Sequence, residues 1–182
     1  MLVYTIRVLT QLALGYLRPV VVHKGGTLAA VGSKAFYEVP FVCGPTDIDS
    51  YSHMNNANFL RVAELSRWRI FPQSGTLKMA SDKKAMFLVV ENHATYIRQI
   101  KPFQRFVVRT SISTTDNKWL WYTHSFESVK PDAKTGKHLQ YASILCKAVL
   151  KEGSGKTIRA LEYRDMSDFN RQLIQVGEDK AL

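Results

Sequence analysis

Acidic residues are missing from the first 37 positions of this 182-residue chain. Glu38 is the first, whereas Arg7, Arg18, Lys24 and Lys34 precede it. Over the whole chain 25 lysines and arginines face 15 acids, a net charge of +10. Such an excess suits an anionic partner (a membrane surface, a nucleic acid or a phosphate-bearing small molecule) or a plain basic surface. The bases form no long block, and charge alone does not make a nucleic-acid binder, so none is expected. Cysteine is nearly absent. Cys43 and Cys146 stand in apolar, strand-like surroundings with no CxxC and no Cys/His set, which argues against a redox pair and for buried free thiols. The five histidines, His23, His53, His93, His124 and His138, show no HExxH or related spacing, so no metal site is expected. Repeats and low-complexity tracts are lacking too, and 46% hydrophobic residues exclude a disordered chain.

The N-terminal stretch MLVYTIRVLTQLALGYLR is apolar but interrupted. At about 100° per residue, Arg7, Gln11 and Arg18 fall on one side of a helix and Leu, Val, Ile and Tyr cover the rest. This predicts an amphipathic helix with a narrow basic stripe, suited to a membrane interface or a mitochondrial presequence, or an extra helix packed on the domain. Arg7 inside the run argues against a spanning helix. A mitochondrial or membrane-associated location is therefore favoured over a freely cytoplasmic one, with membrane contact through residues 1–18.

Pro19, Gly25, Gly26 and Gly32 make residues 19–34 read as a linker. The division that follows is an N-terminal extension and linker over 1–34 and a single domain over 35–182. A strand is expected over Ala35–Val42, with Pro40 marking an edge or bulge. A helix runs from about Asn55 to Phe71, where Pro72 ends it. Its apolar residues occur on nearly every side, so it should be buried around much of its circumference. A loop over Ser74–Lys84 leads to four strands, near Met86–Ile97, Arg105–Ser113, Lys118–Val129 and His138–Lys151. A last helix is expected over Met166–Val176. The class is α+β: consecutive antiparallel strands twist and curl around one central helix, leaving an edge strand that invites a second subunit.

The entrance to that helix reads Asp47-Ile48-Asp49-Ser50-Tyr51-Ser52-His53-Met54-Asn55-Asn56-Ala57-Asn58-Phe59. This stretch, with IKPFQRFVVRTSI and NKWLWYTHSFES later, resembles the hotdog-fold thioesterases of the 4-hydroxybenzoyl-CoA and acyl-ACP thioesterase-like group. Members of that group carry D-x-D-x-x-x-H-x-N-N-x-x-[YF] at this place. The resemblance covers roughly residues 35–151. It implies a hotdog fold, an antiparallel curved sheet wrapped around one long helix, acting on acyl-CoA or an acyl-carrier thioester without a cofactor, as a homodimer or a dimer of dimers. It implies that Asp49 is the nucleophile or general base and that the Asn56 backbone N–H is the oxyanion donor. It also implies that His53 orients groups or exchanges protons, and that Asn55 and Phe59 shape the substrate site. Tyr51 departs from the asparagine found in the acyl-ACP branch. Glu64 lies near a catalytic glutamate of another branch.

Blander readings apply to the same residues. Asp47 and Asp49 can close a turn, and Asn55 or Asn56 can cap the helix. Glu64 stands three residues from both Arg61 and Arg67, a spacing that favours salt bridges. His93 and His124 read as ordinary sheet residues, and Trp119 and Trp121 as packing. Arg98, Lys101, Arg105 and Arg109 read as a solvated face or as contacts for coenzyme A phosphates. Two functions follow: an acyl-thioester hydrolase, or a non-catalytic membrane-associated protein that binds acyl chains or lipid.

Overall fold

The computed structural model describes residues 2–18, 20–28, 33–115, 118–159 and 174–176. The elements in chain order are α1 (Leu2–Leu17), β1 (Val21–Leu28), β2 (Ser33–Val42), a 3-10 turn (Pro45–Asp47), α2 (Asn56–Ile70), α3 (Thr76–Asp82), β3 (Ala85–Tyr96), β4 (Arg105–Thr115), β5 (Trp119–Pro131), β6 (His138–Glu152) and β7 (Ile174–Val176). The sheet runs β1-β2-β4-β5-β6-β3, antiparallel throughout, and β7 adds in parallel beside the far end of β4. This is the hotdog arrangement: the strands after the helix curl and α2 lies in the hollow.

Alternation decides which face meets the helix. Val108 stands opposite Phe126, Thr110 opposite His124 and Ile112 opposite Tyr122 across β4 and β5. On β6, Ala142 faces Phe126, Cys146 faces Tyr122 and Ala148 faces Leu120. Small residues on β6 thus leave room for the large ones on β5, which is how one layer reaches close packing. Tyr37, Phe106, Tyr122 and Phe126 are fully buried, and α2 closes the core with Phe59, Val62, Leu65 and Ile70. Cys43 and Cys146 are free and buried, as their surroundings implied.

Three features differ from the sequence reading. Residues 21–28, taken as linker, form β1, which pairs with β2 from Val21↔Glu38 onward. Pro40 sits just past that pairing, so the missing N–H of proline meets no strand on that side. The segment read as a plain loop, 74–84, contains the two-turn helix α3. Of the helix expected over 166–176, residues 166–173 lie outside the described residues. The remaining three, Ile174–Val176, form a strand instead.

The helix α1 packs along α2, the alternative that the sequence allowed, with Arg7 and Gln11 half-buried and Arg18 exposed. Arg7 reaches the buried Asp47, its Nη1 2.6 Å from Oδ1. Leu2, Ile6, Leu9, Tyr16 and Leu17 point outward and are exposed. Among the described residues no helix is long and apolar enough to cross a membrane. Two clasps hold the far end of α1. Arg69 of α2 donates to the Arg18 carbonyl at 3.1 Å, a cation at the negative end of a helix dipole. The Gln73 amide accepts from the Val20 N–H at 2.7 Å and donates to the Val20 carbonyl at 3.2 Å.

Gly15 is the point of closest approach. A Cβ there would lie 2.5 Å from the Arg69 carbonyl oxygen. Gly15→Val is expected to lift α1 from α2 and to cost about 1–3 kcal/mol, the usual range for overpacking. Faster tryptic cleavage after Arg7, together with a lower urea midpoint, is the readout; an unchanged cleavage rate would contradict the packing.

Candidate active site

The chain from Cys43 to Asn56 is held at many points, and two aspartates in it do different work. Asp47 is buried. Its Oδ2 accepts the Gly44 N–H at 3.0 Å, its carbonyl accepts the Asn55 N–H at 2.9 Å, and Arg7 neutralises its charge. Asp47 therefore ties the loop to α1 and to the helix entrance. Burial, reinforced by the Asp47 carboxylate, pushes the neighbouring Cys43 thiol up.

Asp49 belongs to a tight hairpin made by the Ile48↔Met54 bridge and by the Asp49 N–H donating to the His53 carbonyl at 3.0 Å. Ser52 takes φ 61° at its tip, the left-handed region that a short polar residue enters more easily than a bulky one. The Asp49 carboxylate accepts the Tyr51 N–H at 2.9 Å through Oδ1, while Oδ2 lies 3.2 Å from His53 Nδ1. The second contact of Nδ1, at 3.4 Å, is the Met54 carbonyl. Both neighbours are acceptors, so the proton of neutral His53 belongs on Nδ1, and Nε2 has no hydrogen-bond partner among the described residues. The exposed Tyr51 ring stacks on the His53 ring at 6.1 Å. Asp49 thus closes the turn and pairs with His53 at once.

Asn55 is the N-cap of α2, its Oδ1 accepting the Ala57 N–H at 2.8 Å. Asn56 is the first helical residue, so its N–H has no acceptor inside the helix. No hydrogen bond from that N–H forms among the described residues, and the Asn56 carbonyl accepts the Tyr96 hydroxyl at 3.2 Å. A free, dipole-enhanced N–H beside the Asp49 loop is the kind of donor that stabilises an oxyanion. Phe59, one turn on, is 2% exposed and packs on Phe126 and Tyr96, with ring centroids 5.1 and 5.4 Å away.

Glu64 makes no ion pair with Arg61 or Arg67 among the described residues, which corrects the salt-bridge expectation. Arg61 instead reaches Asn58 Oδ1 at 3.5 Å. Glu64 lies between two cavities. One, about 590 Å³, is shared with Tyr4, Arg7, Arg61 and Leu65, and the other, about 470 Å³, with Arg67, Trp68 and Phe87. The Tyr4 hydroxyl is buried beside Glu64 without a hydrogen bond of ordinary geometry. Desolvation and the adjacent carboxylate raise its pKa. Arg109 pairs with Glu38 at 2.8 Å and with Glu127, so it belongs to a sheet cluster and is not a free phosphate contact. Arg98, Lys101 and Arg105 remain exposed. His93, exposed on β3, meets Glu91 at 2.5 Å.

The residue that sequence reasoning undervalued is His124. It is fully buried between sheet and helix, with Nδ1 2.8 Å from Thr110 Oγ1 and Nε2 3.2 Å from Arg67 Nη1. Arg67 can only donate, so Nε2 must accept and Nδ1 carries the proton toward Thr110. Ser66 Oγ, 3.1 Å from Thr110 Oγ1, completes the chain. Burial, then the Arg67 charge, hold the His124 pKa well below 6.5. The unfolded chain binds a proton there below about pH 6.5 and the folded chain does not. Stability is therefore expected to fall as pH drops below about 6.5, by roughly 1.4 kcal/mol per unit, and to be flat above it. Urea unfolding at several pH values checks this, and His124→Asn should remove the slope that this one group contributes.

A curled antiparallel sheet around one helix, with an Asp–His pair at the helix entrance, defines a hotdog domain of thioesterase type. Residues 43–157 match the family model described as the thioesterase-like superfamily, and the chain belongs to that family. It is 31% identical over 147 residues to the probable thioesterase YBR096W of Saccharomyces cerevisiae, covering 79% of this chain and 58% of that protein. It is 27% identical over 88 residues to protein THEM6 of Xenopus laevis, covering 48% of this chain and 42% of that one. The chain therefore spans only about half the length of these two relatives. Among solved structures, the YbaW probable thioesterase from Escherichia coli superposes with a TM-score of 0.61 at 16% identity, over 76% of this chain and 98% of that one. The PA5185 protein from Pseudomonas aeruginosa gives 0.62 at 17% identity, over 78% and 93%. At such identities the structures speak for the fold alone.

Proposed function

We propose that this protein hydrolyses acyl thioesters, with acyl-CoA the favoured substrate over an acyl-carrier thioester, and that it serves lipid metabolism. The observation that carries the reading is the Asp49–His53 pair, 3.2 Å apart, at the mouth of a helix whose Asn56 N–H is unused. In this reading the thioester carbonyl takes its oxygen to the Asn56 N–H, where developing negative charge is stabilised. Asp49 either draws a proton from the attacking water or attacks the carbonyl carbon itself, forming an anhydride that water then hydrolyses. The C–S bond breaks and the thiolate leaves, taking up the proton that the water releases, with His53 exchanging protons through Nε2. Glu64, on α2 itself, partly buried and with no ion pair among the described residues, is a second carboxylate for this role.

Pairing of two copies along β3 fits this reading. One side of β3 is bonded to β6 and, among the described residues, the other has no strand, while Met86, Leu88 and Val90 are exposed along it. An exposed apolar edge strand invites pairing.

Release of free thiol from a panel of short, long and aromatic acyl-CoAs is the test. Turnover of at least one supports hydrolysis, and no release from any of them sinks it. A second reading rests on the outward apolar face of α1: a membrane-associated acyl- or lipid-binding protein without turnover. Acyl chains co-purifying without turnover, with sedimentation on anionic vesicles, would favour it.

A further inference from the structure

We propose that the cavity between α2, α3 and β3 binds the carboxylate of an apolar acid, with the Arg67 guanidinium as its counter-ion. Arg67 lies in the interior half of α2 and is 6% exposed. Its fork carries five N–H donors, and the structure uses one, donated to His124 Nε2. Among the described residues no carboxylate lies within 4.0 Å of it. Its other neighbour, the Phe87 ring with its centroid 6.0 Å from the guanidinium carbon, is a neutral π face. A buried cation with no carboxylate at ion-pair distance is costly, and an anion entering beside it offsets that cost.

The cavity that Arg67 lines is suited to supply it. Its volume is about 470 Å³, and Trp68, Leu77, Ala80, Phe87 and Leu88 are among the apolar residues of its wall. That size lies within the range of about 300–1,000 Å³ typical of small-molecule sites, which pair apolar walls with a few polar anchors. One guanidinium matches one carboxylate, as a two-pronged pair. A dianionic phosphate is a poorer match, because the single cation is accompanied by the Glu64 carboxylate on the same cavity wall. The His124 bond gives the guanidinium a fixed direction. The network Ser66–Thr110–His124–Arg67 therefore acts as a positioning device for the anion site as well as a core polar chain.

Two sources offer this chemistry: a free fatty acid, and the far carboxylate of a dicarboxylic acyl thioester. The site itself does not depend on hydrolysis, because equilibrium binding reads it. Calorimetry on the full chain with decanoate and decanol, both below their aggregation limits, is the primary experiment. Decanoate is expected to bind about tenfold more tightly or better, the increment of one charge-assisted pair. Arg67→Met should erase that preference. Ala80→Trp, which fills the cavity from α3 and leaves Arg67 in place, should abolish binding of both ligands. Equal binding of the acid and the alcohol, no binding of either, or a preference that survives Arg67→Met overturns the proposal. If Arg67→Met does not fold, the decanoate–decanol comparison and Ala80→Trp decide it. Tighter binding of an ω-carboxyacyl thioether of coenzyme A than of the plain acyl thioether assigns the dicarboxylic source. Equal binding of those two, with decanoate retained, assigns the free acid.

Discussion

Asp49→Asn is expected to lower thioester hydrolysis by about 10²–10⁴-fold at unchanged stability, the range for losing a general acid–base or nucleophilic group. Asparagine keeps the oxygen that accepts the Tyr51 N–H, so the hairpin from Ile48 to Met54 can persist. What it loses is the negative charge facing His53 and the basic oxygen. If Asp49 only closes the turn, the substitution leaves the rate nearly intact, and steady-state thiol release distinguishes the two. The contrast with Asp47→Asn sharpens the test. That substitution removes the charge paired with Arg7 in a buried position, so its effect should fall on the unfolding midpoint first.

Phe126→Ala is expected to cost about 3–5 kcal/mol, the range for deleting a buried aromatic ring. That is a large share of the roughly 5–15 kcal/mol that holds a domain together. Phe126 is fully buried, with ring centroids 5.1 Å from Phe59 and 5.9 Å from Phe106. Its cross-strand neighbour on β6 is Ala142, already minimal, so that side offers little to fill the hole. The cost should therefore lie toward the upper end. Urea unfolding at pH 7.5 measures it, and a loss under about 1.5 kcal/mol would mean that the core collapses around the cavity. Because Phe59 stands on the first turn of α2, some loosening of the helix entrance and a lower rate should accompany the loss of stability.

Much of this architecture was legible from residue spacing. Alternation of Phe106, Val108, Thr110 and Ile112 marked β4, and the apolar residues around α2 announced a helix buried on most sides. The Asp-x-Asp-x-x-x-His-x-Asn-Asn stretch located the loop and its cap. What spacing could not convey was which surface each polar group would face. Arg7 read as part of a basic stripe that left a membrane interface, a presequence and packing on the domain all open, because a helical wheel has no neighbours on it. The buried Asp47, 40 residues away, draws Arg7 inward. His124 read as one more strand residue because its partners, Arg67 and Thr110, come from two other elements. Glycines in 19–34 suggested a linker, yet residues 21–28 pair with β2 regardless of their weak strand propensity.

The Arg7–Asp47 clasp makes α1 a splint for the loop that holds Asp49, two residues further on. Force or proteolysis applied at α1 is therefore transmitted to that loop before it reaches the sheet. A chain nicked after Arg18 is expected to keep its strands, as read by far-ultraviolet circular dichroism, while its thiol-release rate drops. The molecule would then fail as a tool well before it fails as a fold.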